Sequence, residues 1–336
     1  MSSNLEDLPL PASSFSSKGR GEKLFMNANK RITTITMLYI TISIAATFFN
    51  KLLFTYSEYK FPYPFFTVVS QLLITVLFMF IWSKLKPFQH PLAQIPAFSW
   101  DSTVALRIAP LTTVYMCVII FNPLYLQHVE ATNYQFTHSL TIAFSLLFSY
   151  LMLQAETSRN VKSSCILVMF GTCVGSMGYL NFSLVGAFYS LAWPAIVALY
   201  GIYLKKTLTA SKNDIWCVIQ YNSIMSIGVL TLLVILSGEL SDIFSNVWFW
   251  DEFGFWLQMV LTAMTGFCIN AIMLLMLVHT SPLTVTVASV SRTAIQALLV
   301  TVIFGNRMSL LNVIGILISL AGSGCYIFLR LGETKL

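Results

Sequence analysis

Long runs of apolar residues, each ended by a short polar connection, recur from residue 32 almost to the end of the chain. An α-helix needs about 20 apolar residues to cross the hydrocarbon core of a bilayer. Ten runs are predicted as membrane helices, at residues 32–55, 65–83, 104–127, 131–153, 163–180, 183–204, 215–236, 254–278, 283–304 and 309–329. Nine or eleven helices remain alternatives, because only residues 180–183 divide the two helices between 163 and 204. The pattern therefore predicts an all-α membrane protein.

The basic residues favour one orientation of these helices. If both termini are cytosolic, 15 of the 19 Lys and Arg residues fall in cytosolic segments, and only Lys60 and Arg307 lie in loops on the opposite side. This distribution follows the positive-inside rule and holds loop after loop only for an even number of spans. The net charge of +6 is therefore a topology signal, and we expect no binding of nucleic acid.

Three segments of unequal length follow from this arrangement. Residues 1–31 are rich in Ser, Pro and Gly and too poor in apolar residues for a signal peptide, so they predict a disordered cytosolic tail. Residues 32–330 are predicted to form a ten-helix domain in the bilayer, and residues 331–336 a short cytosolic tail. The six cysteines have no metal-binding spacing, so we expect neither a metal nor another cofactor.

Two stretches of the chain resemble each other. Residues 156–180 and 306–329 each read as a polar turn, a Ser or Thr start, an apolar helix and a Gly/Ser-rich end with a Tyr. They are the fifth and tenth predicted helices, so the chain divides into two five-helix halves. Because five is odd, the second half enters the membrane from the opposite side, which predicts inverted repeats with a substrate site near the midplane. The small residues Gly171, Gly175, Gly315, Gly322 and Gly324 are expected to let helices pack closely.

Arg292 lies near the middle of the ninth predicted helix. A cation at that depth costs about 2.5–3.5 kcal/mol even on lenient insertion scales, so it should face a cavity and meet an anion. None of the ten predicted spans contains Asp or Glu. The sequence therefore predicts that the partner of Arg292 is an anion that enters and leaves. The same lack of carboxylates argues against an enzyme with metal-diphosphate or acid–base chemistry.

Further candidate binding residues lie in the first, fourth and ninth predicted helices. Lys51, after Asn50, is either a second cation for phosphate or a side chain that reaches the far interface. Tyr134 and His138 are four residues apart and so share one helix face. In the ninth helix, hydroxyl side chains surround the arginine; they are Thr284, Ser289 and Ser291. Hydrogen bonds between helices are the alternative explanation for each of these polar groups.

The seventh predicted helix carries four consecutive polar or amphipathic residues, Gln220, Tyr221, Asn222 and Ser223. Amide side chains offer both donors and acceptors, as recognition of a purine edge requires. Consecutive residues of a helix cannot all face one direction, so one or two of them are expected to serve helix contacts.

Several short motifs together resemble a known family. They are Phe49-Asn50-Lys51, Ile120-Phe121-Asn122, Val129-Glu130-Ala131, Ser139-Leu140-Thr141, Tyr203–Thr207, Gly238-Glu239-Leu240 and Thr280–Thr284. From residue 32 to residue 330 the chain resembles the nucleotide-sugar transporters and triose-phosphate translocators of the drug/metabolite transporter superfamily, and most closely the GDP-fucose transporters.

The resemblance implies a function as well as a fold. Members have ten helices in two inverted repeats and exchange a cytosolic nucleotide sugar for a lumenal nucleoside monophosphate in the Golgi or the ER. The Phe-Tyr-Asn-Asn motif of GDP-sugar transporters corresponds to residues 220–223, and their Gly-x-x-x-Lys pattern to Ala288 and Arg292; GDP-fucose transporters have Arg in place of His138. We expect a Golgi antiporter of GDP-fucose and GMP. The alternatives are a transporter of GDP-mannose, a UDP-sugar or a phosphorylated metabolite, and a non-transporting receptor; a homodimer is left open.

Overall fold

The computed structural model describes residues 30–46, 61–85, 95–96, 98–129, 134–177, 184–304 and 309–333. In these ranges the chain forms eleven α-helices and no β-strand. They are α1 (30–46), α2 (Pro64–Lys84), α3 (Ser102–His128), α4 (Tyr134–Leu153), α5 (Arg159–Ser176), α6 (Leu184–Ala210), α7 (Ile215–Leu236), α8 (Glu239–Asn246), α9 (Phe253–His279), α10 (Pro282–Phe304) and α11 (Leu310–Glu333).

Seven helices of the described chain are long and apolar enough to cross a membrane, namely α2, α3, α4, α6, α7, α9 and residues 310–330 of α11. This confirms the prediction of an all-helical, multi-pass membrane protein. Each predicted run overlaps one long helix of the described chain, whereas α8 is a short helix in the connection that follows α7. Asn50, Lys51 and residues 1–29 lie outside the described ranges.

Polar side chains at the helix ends explain where several helices begin. The carboxylate of Asp101 accepts from the backbone N–H of Thr103 at 2.8 Å at the start of α3, and this bond, together with the Thr103 hydroxyl, lowers the pKa of Asp101. Asp214 caps α7 in the same way. Such caps satisfy N–H groups that have no partner within the helix.

The connection after α7 supplies a cap for a helix remote in sequence. Gly238 adopts a left-handed conformation, with φ of +79°, that lets the chain turn from α7 into α8. The carboxylate of Glu239 then accepts from the backbone N–H groups of Phe65 at 3.3 Å and Phe66 at 2.8 Å, in the first turn of α2. A carboxylate at a helix N-terminus is favourable both as a hydrogen-bond acceptor and by its charge.

Helices α5 and α11 pack together with their backbones in contact. A Cβ atom on Gly171 would lie 2.8 Å from the carbonyl oxygen of Gly315, and a Cβ on Gly322 would lie 2.9 Å from the backbone nitrogen of Val168. Gly175 also faces Gly315, which confirms the predicted packing role of these four glycines. For Gly324 that prediction is wrong, because open space surrounds its added Cβ within 4 Å.

The remaining long helices make contacts across the bundle. Helix α6 contacts α3 and α4, α10 contacts α4 and α11, and α2 contacts α7 and α9. Helix α1 packs on α9 and α10 through Ile35 and Tyr39, which meet Met276 and Ala288. This arrangement brings one face of α10, with Arg292, into the middle of the described helices.

Candidate functional site

Arg292 belongs to a cluster of side chains from α4, α6 and α10, which we call the Arg292 cluster. His138 Nε2 lies 3.2 Å from the hydroxyl oxygen of Ser289. The ring of Tyr134 stacks on His138 with centroids 5.7 Å apart, and the Trp193 ring lies 5.9 Å from His138. Arg292 is close enough to both Tyr134 and His138 to interact with them electrostatically. Tyr134 and His138, which are four residues apart in α4, therefore both lie beside Arg292.

The cluster holds more hydrogen-bond donors than acceptors. Arg292 Nε, His138 Nδ1 and Trp193 Nε1 are each buried without a hydrogen-bond partner. When His138 Nε2 accepts from Ser289, Nδ1 carries the proton and becomes a free donor. An unpaired buried donor costs about 1–3 kcal/mol. Three such donors in one cluster, one of them on a guanidinium, suit a ligand that brings acceptor oxygens.

No carboxylate compensates Arg292 in the part of the chain that the structure describes. Within those residues, the acid–base pair closer than 4 Å is Arg330–Glu333, at 2.9 Å near the end of α11. An isolated cation among apolar helices requires a partner, because its desolvation is not repaid otherwise. That Arg292 meets a mobile anion stays a prediction.

An aromatic wall backs the cluster, and sequence reasoning missed it. Trp193 stacks on Tyr125 with centroids 4.7 Å apart and an interplanar angle of 10°. The hydroxyl of Tyr125 pairs with Thr137 on α4, which fixes the wall against the neighbouring helix. In the sequence, a Trp within an apolar run is indistinguishable from a packing residue. The one signal for a binding role was its indole N–H, which normally needs a hydrogen-bond partner when it is buried.

Gln220 and Tyr221 contact the connection between α2 and α3. The amide nitrogen of Gln220 donates to the carbonyl of Pro96 at 3.2 Å. The hydroxyl of Tyr221 donates to the carbonyl of Ser99 at 2.6 Å and accepts from the backbone N–H of Asp101 at 2.9 Å. These two residues therefore serve as anchors between α7 and that connection, as expected for part of the four-residue run. Their predicted role in reading a base stays a prediction.

Asn222 and Ser223 face two other neighbours. The side-chain oxygen of Asn222 accepts from the hydroxyl of Thr112 on α3 at 3.0 Å. Ser223 lines a cavity of about 120 Å³ between α2, α3, α7 and α9, whose other polar residues are Gln71, Thr75, Tyr115 and Asn270. The side-chain oxygen of Asn270 is buried there without a hydrogen-bond partner. We call this space the amide cavity.

The other two hydroxyl groups of α10 that were predicted to bind substrate make hydrogen bonds to α11 and to the backbone of α10. Thr284 pairs with the hydroxyl of Tyr326 at 2.9 Å, and Ser291 donates to the carbonyl of Val287 at 2.8 Å. Of the three hydroxyl residues predicted around Arg292, only Ser289 contacts a member of the cluster. The roles predicted for Thr284 and Ser291 stay predictions.

Lys205 makes a contact that its sequence position did not reveal. Its ammonium group donates to the carbonyls of Leu277 at 2.6 Å and Thr280 at 2.9 Å, at the C-terminal end of α9. The last carbonyls of a helix lack partners and carry partial negative charge, so a cation stabilises them. Lys205 thus ties α6 to the point where α9 gives way to α10.

Comparison with known proteins places the chain in a family. The model of the Triose-phosphate Transporter family matches residues 30–327. The chain belongs to this family. The match spans the Arg292 cluster and the amide cavity, so both lie in the part of the chain that family members share.

Curated relatives of the family match over most of their length. The "GDP-fucose transporter 1" of Dictyostelium discoideum is 34% identical over 304 residues, which cover 90% of this chain and 82% of the relative. The "GDP-fucose transporter 1" of Mus musculus is 30% identical and covers 92% of this chain and 86% of its own. The "GDP-fucose transporter, Golgi" of Drosophila melanogaster is 26% identical, with 82% and 83% covered.

A protein of known crystal structure has the same fold. The alignment covers 88% of this chain and 99% of the chain of that protein, with a TM-score of 0.63 and 14% sequence identity. At this identity the likeness concerns the fold alone.

Proposed function

We propose that this chain is an antiporter of the Golgi membrane that imports GDP-fucose in exchange for GMP. The names of its relatives support the substrate class and the compartment. The observation that carries the proposal is the buried Arg292 Nε, which has no partner and lies among further free donors. Both exchanged molecules bring phosphate oxygens, and a guanidinium binds phosphate with two parallel hydrogen bonds. The chain acts by transport, and we assign it no catalytic group.

Exchange follows from the charge of Arg292. With no cargo, the guanidinium is uncompensated, and moving it through an occluded state is unfavourable. A bound phosphate neutralises the site and lets the protein change conformation, so that entry of one anion is coupled to exit of another. Donors from His138 and Trp193 would meet the remaining phosphate oxygens.

The amide cavity is our candidate for recognition of the base. Asn270 presents a free acceptor, and Gln71 offers both donor and acceptor, as a purine edge requires. Ser223 is the member of the predicted four-residue run that lines this space. The cavity holds about 120 Å³, so it would take a ring rather than the whole cargo.

We further propose ten membrane spans in two inverted five-helix repeats, with both termini cytosolic. In these repeats the helices would correspond in chain order: α1 to α6, α2 to α7, α3 to α9, α4 to α10 and α5 to α11. Under this correspondence, a contact between two helices has a counterpart between their two equivalents. The α3–α6 contact then corresponds to α9–α1, α4–α5 to α10–α11, and α2–α9 to α7–α3. Each of α4–α10, α5–α11 and α2–α7 corresponds to itself, as for pairs across a twofold axis. A substrate between the halves fits this symmetry.

Transport by reconstituted vesicles tests the role of Arg292. Vesicles preloaded with GMP should take up labelled GDP-fucose, and Arg292→Ala should reduce the exchange at least about 30-fold, since truncating one partner of a buried charge pair costs about 2–5 kcal/mol. Arg292→Lys should retain part of the activity because it keeps the charge but loses the planar fork. Arg107→Ala, at an exposed base on α3, serves as the control. Undiminished exchange by Arg292→Ala would contradict the proposal.

The transported substrate is identified by competition with the uptake of labelled GDP-fucose. Unlabelled GDP-fucose and GMP should block uptake, whereas GDP-mannose, UDP-sugars and triose phosphate should compete poorly. Stronger competition by one of the latter would reassign the substrate while leaving the role of Arg292 intact. An absence of thermal stabilisation by every nucleotide tested would instead favour a receptor that does not transport.

A further inference from the structure

A second cavity lies at the end of the helix bundle where both described chain ends meet. It holds about 330 Å³ and is bounded by the first turns of α1 and α10 and the last turns of α9 and α11. Its apolar lining includes Ile32, Met37, Val287, Ala288 and Ile327. We call it the α1–α11 cavity.

Five of the six hydroxyl groups that line this cavity, all except that of Thr33, make hydrogen bonds within the protein. Thr36 and Thr280 each donate to a carbonyl one turn back in their own helix, at 2.9 and 2.7 Å. Ser281 pairs with Thr284 at 3.0 Å, and Thr284 pairs with Tyr326 at 2.9 Å. A nucleotide or a sugar needs free donors and acceptors from its site, and these groups are committed elsewhere. The interior of the cavity therefore suits hydrocarbon better than a polar cargo.

The mouth of the cavity is positively charged. His279 lines the cavity and interacts electrostatically with Arg31 and Lys205. Arg330 also lines it, and Lys30 is exposed beside Arg31 at the start of α1. Among the described residues, Glu333 offsets part of this charge through its pair with Arg330, and Glu156 lies in the adjoining space that Arg330 and Lys205 also line. The rim therefore carries net positive charge above an apolar interior.

The cavity also opens toward the surface that faces lipid. Met37, one of its lining residues, is 57% exposed, and Phe328, next to the lining residue Ile327 on α11, is 78% exposed. Large apolar side chains exposed on membrane helices contact acyl chains. A lipid could therefore enter from the side without crossing a polar barrier.

We propose that the α1–α11 cavity binds one anionic phospholipid. Its acyl chain would lie along Met37, Val287 and Ile327, and its phosphate would lie at the rim formed by Arg31 and Arg330. Basic pockets between membrane helices commonly bind anionic head groups, and each basic residue near such a surface strengthens binding about fivefold. The site follows from the shape and charge of the cavity and does not depend on which sugar is transported.

Photocrosslinking of the full chain in vesicles tests this site. Met37 is replaced by p-benzoyl-phenylalanine, with the same replacement of Leu38 as the matched control, since Leu38 is 45% exposed and does not line the cavity. The vesicles contain phosphatidylcholine with phosphatidylserine, and mass spectrometry identifies the captured lipid. The probe at Met37 should capture phosphatidylserine well beyond its share of the vesicle, and the probe at Leu38 in proportion to that share.

A charge variant and a nucleotide competitor complete the test. Adding Arg31→Gln to the Met37 probe should lower the capture of phosphatidylserine about fivefold, and added GMP should leave it unchanged. Equal lipid capture at Met37 and Leu38, capture insensitive to Arg31→Gln, or capture of GDP-fucose in place of lipid would each overturn the proposal. None of these readouts requires transport, so a failure here is distinct from a failure of the proposed antiport.

Discussion

The backbone contact between α5 and α11 makes Gly315→Ala the most informative test of the fold. A Cβ atom at position 315 would lie 2.5 Å from the carbonyl oxygen of Gly171, and it would also meet the backbone of Gly175. The tightest contact would be 2.3 Å, to the backbone nitrogen of Gly175, and ordinary contacts begin at 3.4 Å. The two helices must therefore separate by about 1.1 Å, the difference between these distances. Both obstacles are backbone atoms, which cannot move aside by a change of rotamer. Overpacking of this kind costs about 1–3 kcal/mol.

Gly324→Ala is the matched control for that variant. It lies on the same helix, and nothing lies within 4 Å of its added Cβ. The preference of helices for Ala over Gly, about 1 kcal/mol, acts equally in both variants, so their difference isolates the packing term. A shift of about 2–4 °C per kcal/mol predicts that Gly315→Ala melts at least about 2 °C below Gly324→Ala.

The melting temperature is measured with a thiol-reactive dye on purified protein, because Cys165 on α5 is buried and free and becomes reactive on unfolding. Equal melting temperatures, or a higher one for Gly315→Ala, would refute the close backbone contact. A lower melting temperature for both variants would show that the effect comes from α11 itself and not from its contact with α5.

Three further substitutions test contacts of single side chains. Lys205→Met should lower the free energy of unfolding by about 1.5–3 kcal/mol, because it leaves two carbonyls at the end of α9 without a donor. Lys206→Met, at the exposed neighbouring position, should change the stability little. Equal melting temperatures of the two variants would contradict the cap assigned to Lys205. Glu239→Gln should cost about 0.5–2 kcal/mol by weakening the cap on α2, with Asp242→Asn in α8 as the control in chemical denaturation. Tyr221→Phe keeps the ring and removes two hydrogen bonds, so hydrogen exchange of the connection between α2 and α3 should accelerate; an unchanged affinity for GMP would limit Tyr221 to this anchoring role. A tenfold loss of that affinity would instead assign Tyr221 to the binding site.

The helices could be predicted from the sequence because membrane crossing imposes a length and an apolar composition. Helix α8 could not, since an eight-residue amphipathic segment carries little signal without knowledge of the α2 end that Glu239 caps. Tyr134 and His138 could be assigned to one face from their spacing alone. Their meeting with Ser289 depends on how α4 crosses α10, which no local pattern encodes.

The limits of sequence reasoning are clearest in α7. The run of four polar residues predicts that some bind neighbours and some bind ligand, but not which. The direction of Tyr221 is decided by the location of Ser99 and Asp101, which belong to a connection more than a hundred residues earlier in the chain. Trp193 was missed for a similar reason, since its free N–H gains meaning only from His138 beside it and from Arg292, which interacts with His138.

The glycine contact between α5 and α11 also restricts how these two helices can move against each other. Backbones that touch have no side chains between them to change rotamer, so neither sliding nor rotation of one helix along the other is easily accommodated. In the proposed inverted repeats, one of these helices comes from each half, so their contact would hold the halves together at this point. In the proposed antiporter, the α5–α11 pair would therefore be the fixed pivot. The halves would part along the polar contact between α4 and α10, where His138 meets Ser289 and Ser145 meets Thr286.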